Sequence, residues 1–352
     1  MTKHGSFKKA VRRHASATGQ RYTEALKDLE DLDSRMLHHP SPERILTHLR
    51  DRYGIDAISA TKVSLHKSYV FRIDRADGEP WIARAFPPAR PRSGVEGDAA
   101  ILRFLERHGF PAERLATDDA VSDLDGSTVL VTAFVASRPF TSVSDKLGAM
   151  GDLLGRLHAL PLDETVSRPG GASGEDPRHE GGPRQDLMAA LAFLDAIDTR
   201  IPASERATFE RLRDMVLTAD DGSGLPEALV HGNLLHNPDH ALLTDRGAVG
   251  INWMSAGRGP RLADFAWLMW GTWRDPALVE AAVKGYRQHI DLVDDEFDRL
   301  EAVMALRPLF LASFIVRRNT LEGTTEDAMS FVDPDYLRDT AEATRTAFRL
   351  RS

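Results

Sequence analysis

Residues 229–271 read LVHGNLLHNPDHALLTDRGAVGINWMSAGRGPRLADFAWLMWG, and the fold is decided here. A short apolar run ends at Val230, and a polar loop follows with His231, Gly232, Asn233, His236, Asn237, Pro238, Asp239 and His240. Alternation and turn residues then predict a hairpin over 241–243 and 248–251, which brings residues 231–237 beside a second polar loop at Asn252. GRGPRL at 257–262 lacks the third glycine of a dinucleotide fingerprint, so it reads as a turn into a helix beginning at Arg261. The spacing of His231, His236 and His240, five and then four, matches no recognised metal signature. The chain contains neither GxxxxGK[ST] nor GxSxG, which removes a P-loop and gives a serine hydrolase no support.

Working outward, ATKVSLHKSYVFRIDR (60–75), PWIARAFP (80–87) and STVLVTAFV (127–135) carry β-rich or alternating runs around turn residues. The segment 93–108 reads as a helix stopped by Gly109 and Pro111. A β-rich lobe with one prominent helix is therefore expected over about 58–136. Helical periodicity then dominates at 144–160, 185–197, 203–218, 261–273, 276–289, 294–318 and 335–349. Trp267, Trp270 and Trp273 recur every three residues on one of these helices and read as a core stripe. Asp264 and Arg261 are expected to brace the loop at 252. The insert SRPGGASGEDPRHEGGPR (167–184) is rich in Gly, Pro and charge, and is expected to be a long mobile loop.

A length of 352 residues suits two domains or one bilobal unit. With 42% hydrophobic and 7% aromatic residues, wholesale disorder, collagen and coiled coil are excluded. The formal charge of -8 argues against a surface that embraces nucleic acid throughout. Zero cysteines removes disulfides, thiolate nucleophiles and cysteine-bound metal. The apolar run 309–316 is far short of the roughly 20 residues that cross a bilayer, and the basic start has no apolar stretch of a secretory signal. A cytoplasmic protein without membrane contact is the expectation. Residues 1–21 hold Lys3, Lys8, Lys9, Arg12, Arg13 and Arg21, and the first acid is Glu24. Two short helices within 1–35 form either a docking arm for an anionic partner such as nucleic acid, or an amphipathic surface unit of the main body.

On these motifs the chain resembles the aminoglycoside phosphotransferase family, small-molecule kinases of the bilobal protein-kinase-like fold. The family's His-Gly-Asp reads His231-Gly232-Asn233 here, and its hydrophobic-Asp-Trp segment reads Ile251-Asn252-Trp253. VLVTAFVASRPF, MGDLLGRLHALP (150–161) and AGRGPRLADFAWL match in order. The resemblance implies an α+β fold, with a β-rich lobe over 44–136, a helical lobe over 137–352 and an appendage over 1–43. It implies that Arg84 and Asp98 stand where a strand lysine and helix glutamate meet ATP phosphates, and that Val131, Ala133 and Phe134 form the nucleotide linker. Asn233, with His231, takes the catalytic-aspartate loop, and Asn252 takes a magnesium position. The second magnesium position falls five residues after Asn233, at Pro238, with Asn237 adjacent.

These replacements move the four family positions from two net negative charges to none. Removing one charge beside a divalent cation costs on the order of 4 kcal/mol at about 4 Å, roughly a thousandfold. An amide also accepts no proton from an attacking hydroxyl at neutral pH. ATP or another small molecule is thus expected as ligand without secure Mg²⁺, in a pseudokinase serving as a binding or regulatory module. Two alternatives stand beside it. One is an active kinase for an aminoglycoside-like alcohol, drawing a carboxylate from Asp98, Asp239 or Asp245. The other is a nucleic-acid-associated protein docked through residues 1–35.

Overall fold

The structure is a computed structural model, and it describes residues 40–63, 69–88, 90–162, 166–170, 182–234 and 240–350. The basic arm and its two expected helices lie outside the described residues. Ser41 starts helix α1 (Pro42–Tyr53) by accepting a hydrogen bond from the Arg44 N–H, and Gly54 ends it at φ 64°. Only Ile45 and Leu49, four apart, are buried in it. Sequence patterning missed this helix because two apolar anchors stand among polar residues. The expected boundary between 43 and 44 falls inside it.

Five antiparallel strands form the first lobe: β1 (Ala57–Lys62), β2 (Tyr69–Arg75), β3 (Trp81–Phe86), β4 (Val121–Leu124) and β5 (Ser127–Ala133), in the order β1-β2-β3-β5-β4. Arg84 pairs with Leu130 and Ile82 with Thr132. Side chains alternate along a strand, so Ile82, Arg84, Leu130 and Thr132 share one face. Val131 and Ala133 stand on the other with Phe71 and Ala83. Helix α2 (Arg92–Arg107) buries Val95, Ala99, Leu102 and Leu105 beside this sheet.

The second part contains α3 (Val143–His158), α4 (Pro183–Asp195), α5 (Arg206–Leu217), β6 (Glu227–Val230), β7 (Ala241–Thr244), β8 (Gly247–Gly250), β9 (Gly257–Pro260), α6 (Arg261–Trp270), α7 (Pro276–Tyr286), α8 (Asp294–Met304), α9 (Leu306–Glu322) and α10 (Pro334–Arg349). Helices α3 and α7 cross closely because both are glycine at the contact. A Cβ on Gly151 would lie 2.0 Å from the Ala282 carbonyl oxygen, and one on Gly285 would lie 2.2 Å from that of Gly148. Among the described residues, no helix is long and apolar enough to cross a membrane.

Four expectations change here. The helix expected over 294–318 divides at Ala305, because Pro308 has no N–H for the carbonyl four residues back. GRGP forms strand β9 against β6 and does not remain a turn. Trp267 and Trp270 stack in the core with centroids 4.9 Å apart, but Trp273 lies past the helix end at φ 56° and is 57% exposed. Residues 166–170 are packed, with Val166 buried and Pro169 bridged to Arg258; 171–181 lie outside the described residues.

Candidate functional site

The hairpin of β7 and β8 delivers its two bases to one place, as its sequence predicts. Asn252 follows β8 in the left-handed region, φ 68°, which asparagine tolerates better than most residues. His240, immediately before β7, joins the two loops. Its Nδ1–H donates to the Asn233 carbonyl, which leaves Nε2 as the acceptor, 3.1 Å from the Asn252 side-chain nitrogen. The loops at 233 and 252 are thus tied by the imidazole of His240 and the amide of Asn252. Asn237 and Pro238 lie outside the described residues, so the side chain found beside both loops is one that motif spacing did not select.

His231 is buried and makes no contact that requires charge. Its Nε2–H donates to the Ile251 carbonyl at 3.0 Å, and its Nδ1 accepts the Asn233 N–H at 3.3 Å. Burial pushes its pKa below the usual histidine value, with Asp264 pulling the other way. Asp264 accepts the His231 N–H at 2.6 Å and the Gly232 N–H at 3.0 Å. It therefore holds the loop at 231, and reaches the one at 252 only through His231. Arg261 holds neither, since its guanidinium pairs with Glu296 at 2.7 Å and ties α6 to α8.

Arg84 and Asp98 do not meet. Arg84 pairs with Glu113 at 3.5 Å. Glu113, only 3% exposed, also accepts the Thr132 hydroxyl at 2.9 Å and the Asn252 N–H at 2.7 Å. A loop glutamate thus takes the place expected of the helix carboxylate and links β3, β5 and the 252 loop. Asp98 is claimed by two other cations: Arg90 at 2.8 Å to both oxygens and Arg168 at 2.7 Å. Arg90 adds a bond to the Met254 carbonyl, and Arg168 adds bonds to the carbonyls of Gly94, Trp253 and Ala256. The pair of arginines clamps α2 to the segment after Asn252. Burial holds the Arg90 pKa below the usual arginine value, while Asp98 opposes the shift.

The linker residues turn their N–H groups inward. Val131 donates to the Ala120 carbonyl, Ala133 to Arg114 and Phe134 to Pro80, at 3.0, 2.8 and 3.0 Å. These three donors are thus engaged within the protein. The Phe134 ring lies 4.5 Å from the Arg72 guanidinium carbon. Asp245, one of the carboxylates expected for an active kinase, is fully exposed at the hairpin tip, about 13 Å of strand from its base. Asp239 lies outside the described residues.

Mg²⁺ takes oxygen ligands and favours carboxylates. Among the described residues, the loops offer the Asn233 and Asn252 amides and the His240 imidazole, and the two nearby carboxylates, Glu113 and Asp264, are engaged by protein donors. No group of three or more metal-binding side chains forms among those residues. The described part of the two loops thus offers a divalent ion no free carboxylate.

Sequence reasoning missed Glu113, Arg90 and Arg168, and weighed His240 only as a metal ligand. None sits at a motif position, and each matters through a partner at least seven residues away.

The two parts form a kinase-like α+β fold, and comparisons with known proteins agree. The sequence model of the phosphotransferase enzyme family matches residues 64–302, and the chain belongs to that family. A comparison with curated proteins finds no match. Among solved structures, amicoumacin kinase hAmiN in complex with AMP-PNP, Ca²⁺ and Ami is 16% identical at a TM-score of 0.57, covering 90% of this chain and 93% of that one. Plasmodium vivax ethanolamine kinase is 11% identical at 0.58, covering 92% and 94%. Aminoglycoside-3'-phosphotransferase of type VIII is 23% identical at 0.53, covering 77% and 100%.

Proposed function

We propose that this member of the phosphotransferase family is a pseudokinase: its cleft binds a nucleotide or another small ligand and does not transfer phosphate. The observation that carries the reading is the bond network among Asn233, His240 and Asn252, in which amide and imidazole groups satisfy one another where phosphoryl transfer needs a proton acceptor and anions for a divalent ion. Arg84 lies on the sheet face shared with Thr132 and would meet the phosphates, and its charge would stand in for part of the missing metal. Amicoumacin kinase, whose solved structure holds AMP-PNP, supports a nucleotide as the ligand. With no carboxylate among the described residues of the two loops free to receive a hydroxyl proton, the cleft works by binding and shape, as a regulatory or ligand-sensing unit in the cytoplasm.

Isothermal titration with ATP tests this directly. The expected result is weak binding whose affinity changes less than about threefold when Mg²⁺ replaces EDTA, since no anion is gained or lost at the metal position. Binding should disappear in Arg84→Met and persist in Arg84→Lys. Strong binding that requires Mg²⁺ contradicts the reading.

A further inference from the structure

A small cavity of about 40 Å³ opens beside the catalytic-loop position, bounded by Gly232, Asp264, Trp267, Asp186 and Arg307. Roughly 10–15 Å³ of such space holds one water, so the cavity has room for one or two polar groups of a ligand. Its walls contain hydrogen-bond donors without acceptors. The Nε and Nη1 of Arg307 and the Nε1 of Trp267 are buried, and among the described residues none has a hydrogen-bond partner. Arg307 lies over the Trp267 ring at 5.7 Å and the Phe310 ring at 5.2 Å, with its side chain 12% exposed. A buried donor left unpaired is costly, and such groups normally have an acceptor. Asp186 approaches Arg307 at 3.5 Å as an ion pair but does not give Nη1 a hydrogen bond.

The charges restrict what that acceptor is. An anionic group would enter beside two carboxylates, Asp186 and Asp264, of which the second is already committed to the His231 and Gly232 N–H groups. A cationic group would enter beside the Arg307 guanidinium. Like charges in such a place are rejected. An uncharged oxygen meets neither penalty and accepts from Arg307 and Trp267, while a hydroxyl can also donate to Asp186.

We propose that this cavity is a subsite for an uncharged hydroxyl-bearing ligand, a neutral polyol or sugar, and that it selects against both aminated and acidic counterparts. The proposal deepens the reading of the cleft as a ligand site and rests on it for the cavity's place beside Gly232.

Saturation-transfer NMR with glucose, glucosamine and glucuronate tests it on the full chain. Glucose binds, and the other two bind at least about tenfold more weakly, each meeting a like charge. Trp267→Phe keeps the ring and removes one donor, and weakens glucose about fivefold. Arg307→Met abolishes binding, while Asp186→Asn removes the repulsion and raises glucuronate towards glucose. Glucosamine or glucuronate binding as well as glucose, an unchanged Trp267→Phe variant, or no binding by any of the three sugars would overturn the proposal. ATP titration of the same samples separates the two readings. Intact ATP binding with no sugar discrimination defeats the subsite alone, and sugar discrimination without ATP binding defeats the nucleotide reading alone.

Discussion

Asp98→Ala is expected to destabilise the protein by about 3–5 kcal/mol, the cost of leaving a buried ion pair without its counter-charge. The carboxylate is 2% exposed and receives Arg90 and Arg168 together. Without it, two guanidinium groups share the wall of the cleft with no anion between them. Their remaining bonds to the carbonyls of Met254, Trp253, Ala256 and Gly94 supply partial dipoles only. The glycines where Arg168 enters add to the cost, because Gly170 and Gly257 are in backbone contact, with a Cβ on Gly257 lying 2.6 Å from the Arg168 carbonyl oxygen. That crossing fixes the backbone from which Arg168 reaches Asp98. Urea unfolding followed by circular dichroism measures the effect, with Asp245→Ala as a control expected within about 0.5 kcal/mol of the unmodified protein, as for an exposed site. A loss below about 1 kcal/mol in Asp98→Ala would show that the clamp is not a structural element.

Asn252→Asp is expected to make nucleotide binding dependent on Mg²⁺. One added anion beside Mg²⁺ is worth on the order of 4 kcal/mol at about 4 Å, so ATP affinity in Mg²⁺ rises by up to roughly a thousandfold over that in EDTA. The backbone already suits the change, since aspartate tolerates the left-handed conformation that Asn252 holds at φ 68°. The obstacle is His240. Its Nε2 lone pair faces the Asn252 amide nitrogen and would face a carboxylate oxygen in the variant. A metal ion seated there must therefore displace the His240 contact, which lowers the gain below the bare Coulomb figure. Calorimetry with ATP in Mg²⁺ and in EDTA reads the effect. A Mg²⁺-dependent gain under about threefold would mean that position 252 does not address a metal at all.

The fold was legible in the order of its motifs, and the site was legible in part. The hairpin between 241 and 250 and the loops at 231 and 252 were recoverable because glycines, alternation and short apolar runs are local signals. The Asp264 contact to the 231 loop was legible as a brace but not in its target, since a carboxylate in a helix's first turn reaches whichever loop the strand pairing presents. Glu113 carried no signal: it stands in a turn after α2 and gains its role only when β5 and the 252 loop close around it. Arg168 was hidden for another reason. Its neighbours in SRPGGASGEDPRHEGGPR read as a mobile insert, although the first residues of that insert form a bridge to Arg258. His240 was seen and set aside because its spacing fits no zinc motif, and hydrogen bonding to two asparagines leaves no spacing rule to find.

The most direct test is turnover by the unmodified protein. Purified full-length chain, incubated with ATP, Mg²⁺ and a panel of amino and neutral polyols, is expected to release ADP no faster than buffer does, whatever acceptor is supplied. Steady ADP release coupled to a phosphorylated polyol, removed by Asn233→Ala, would contradict the account, because an amide would then stand at the centre of a working phosphoryl transfer.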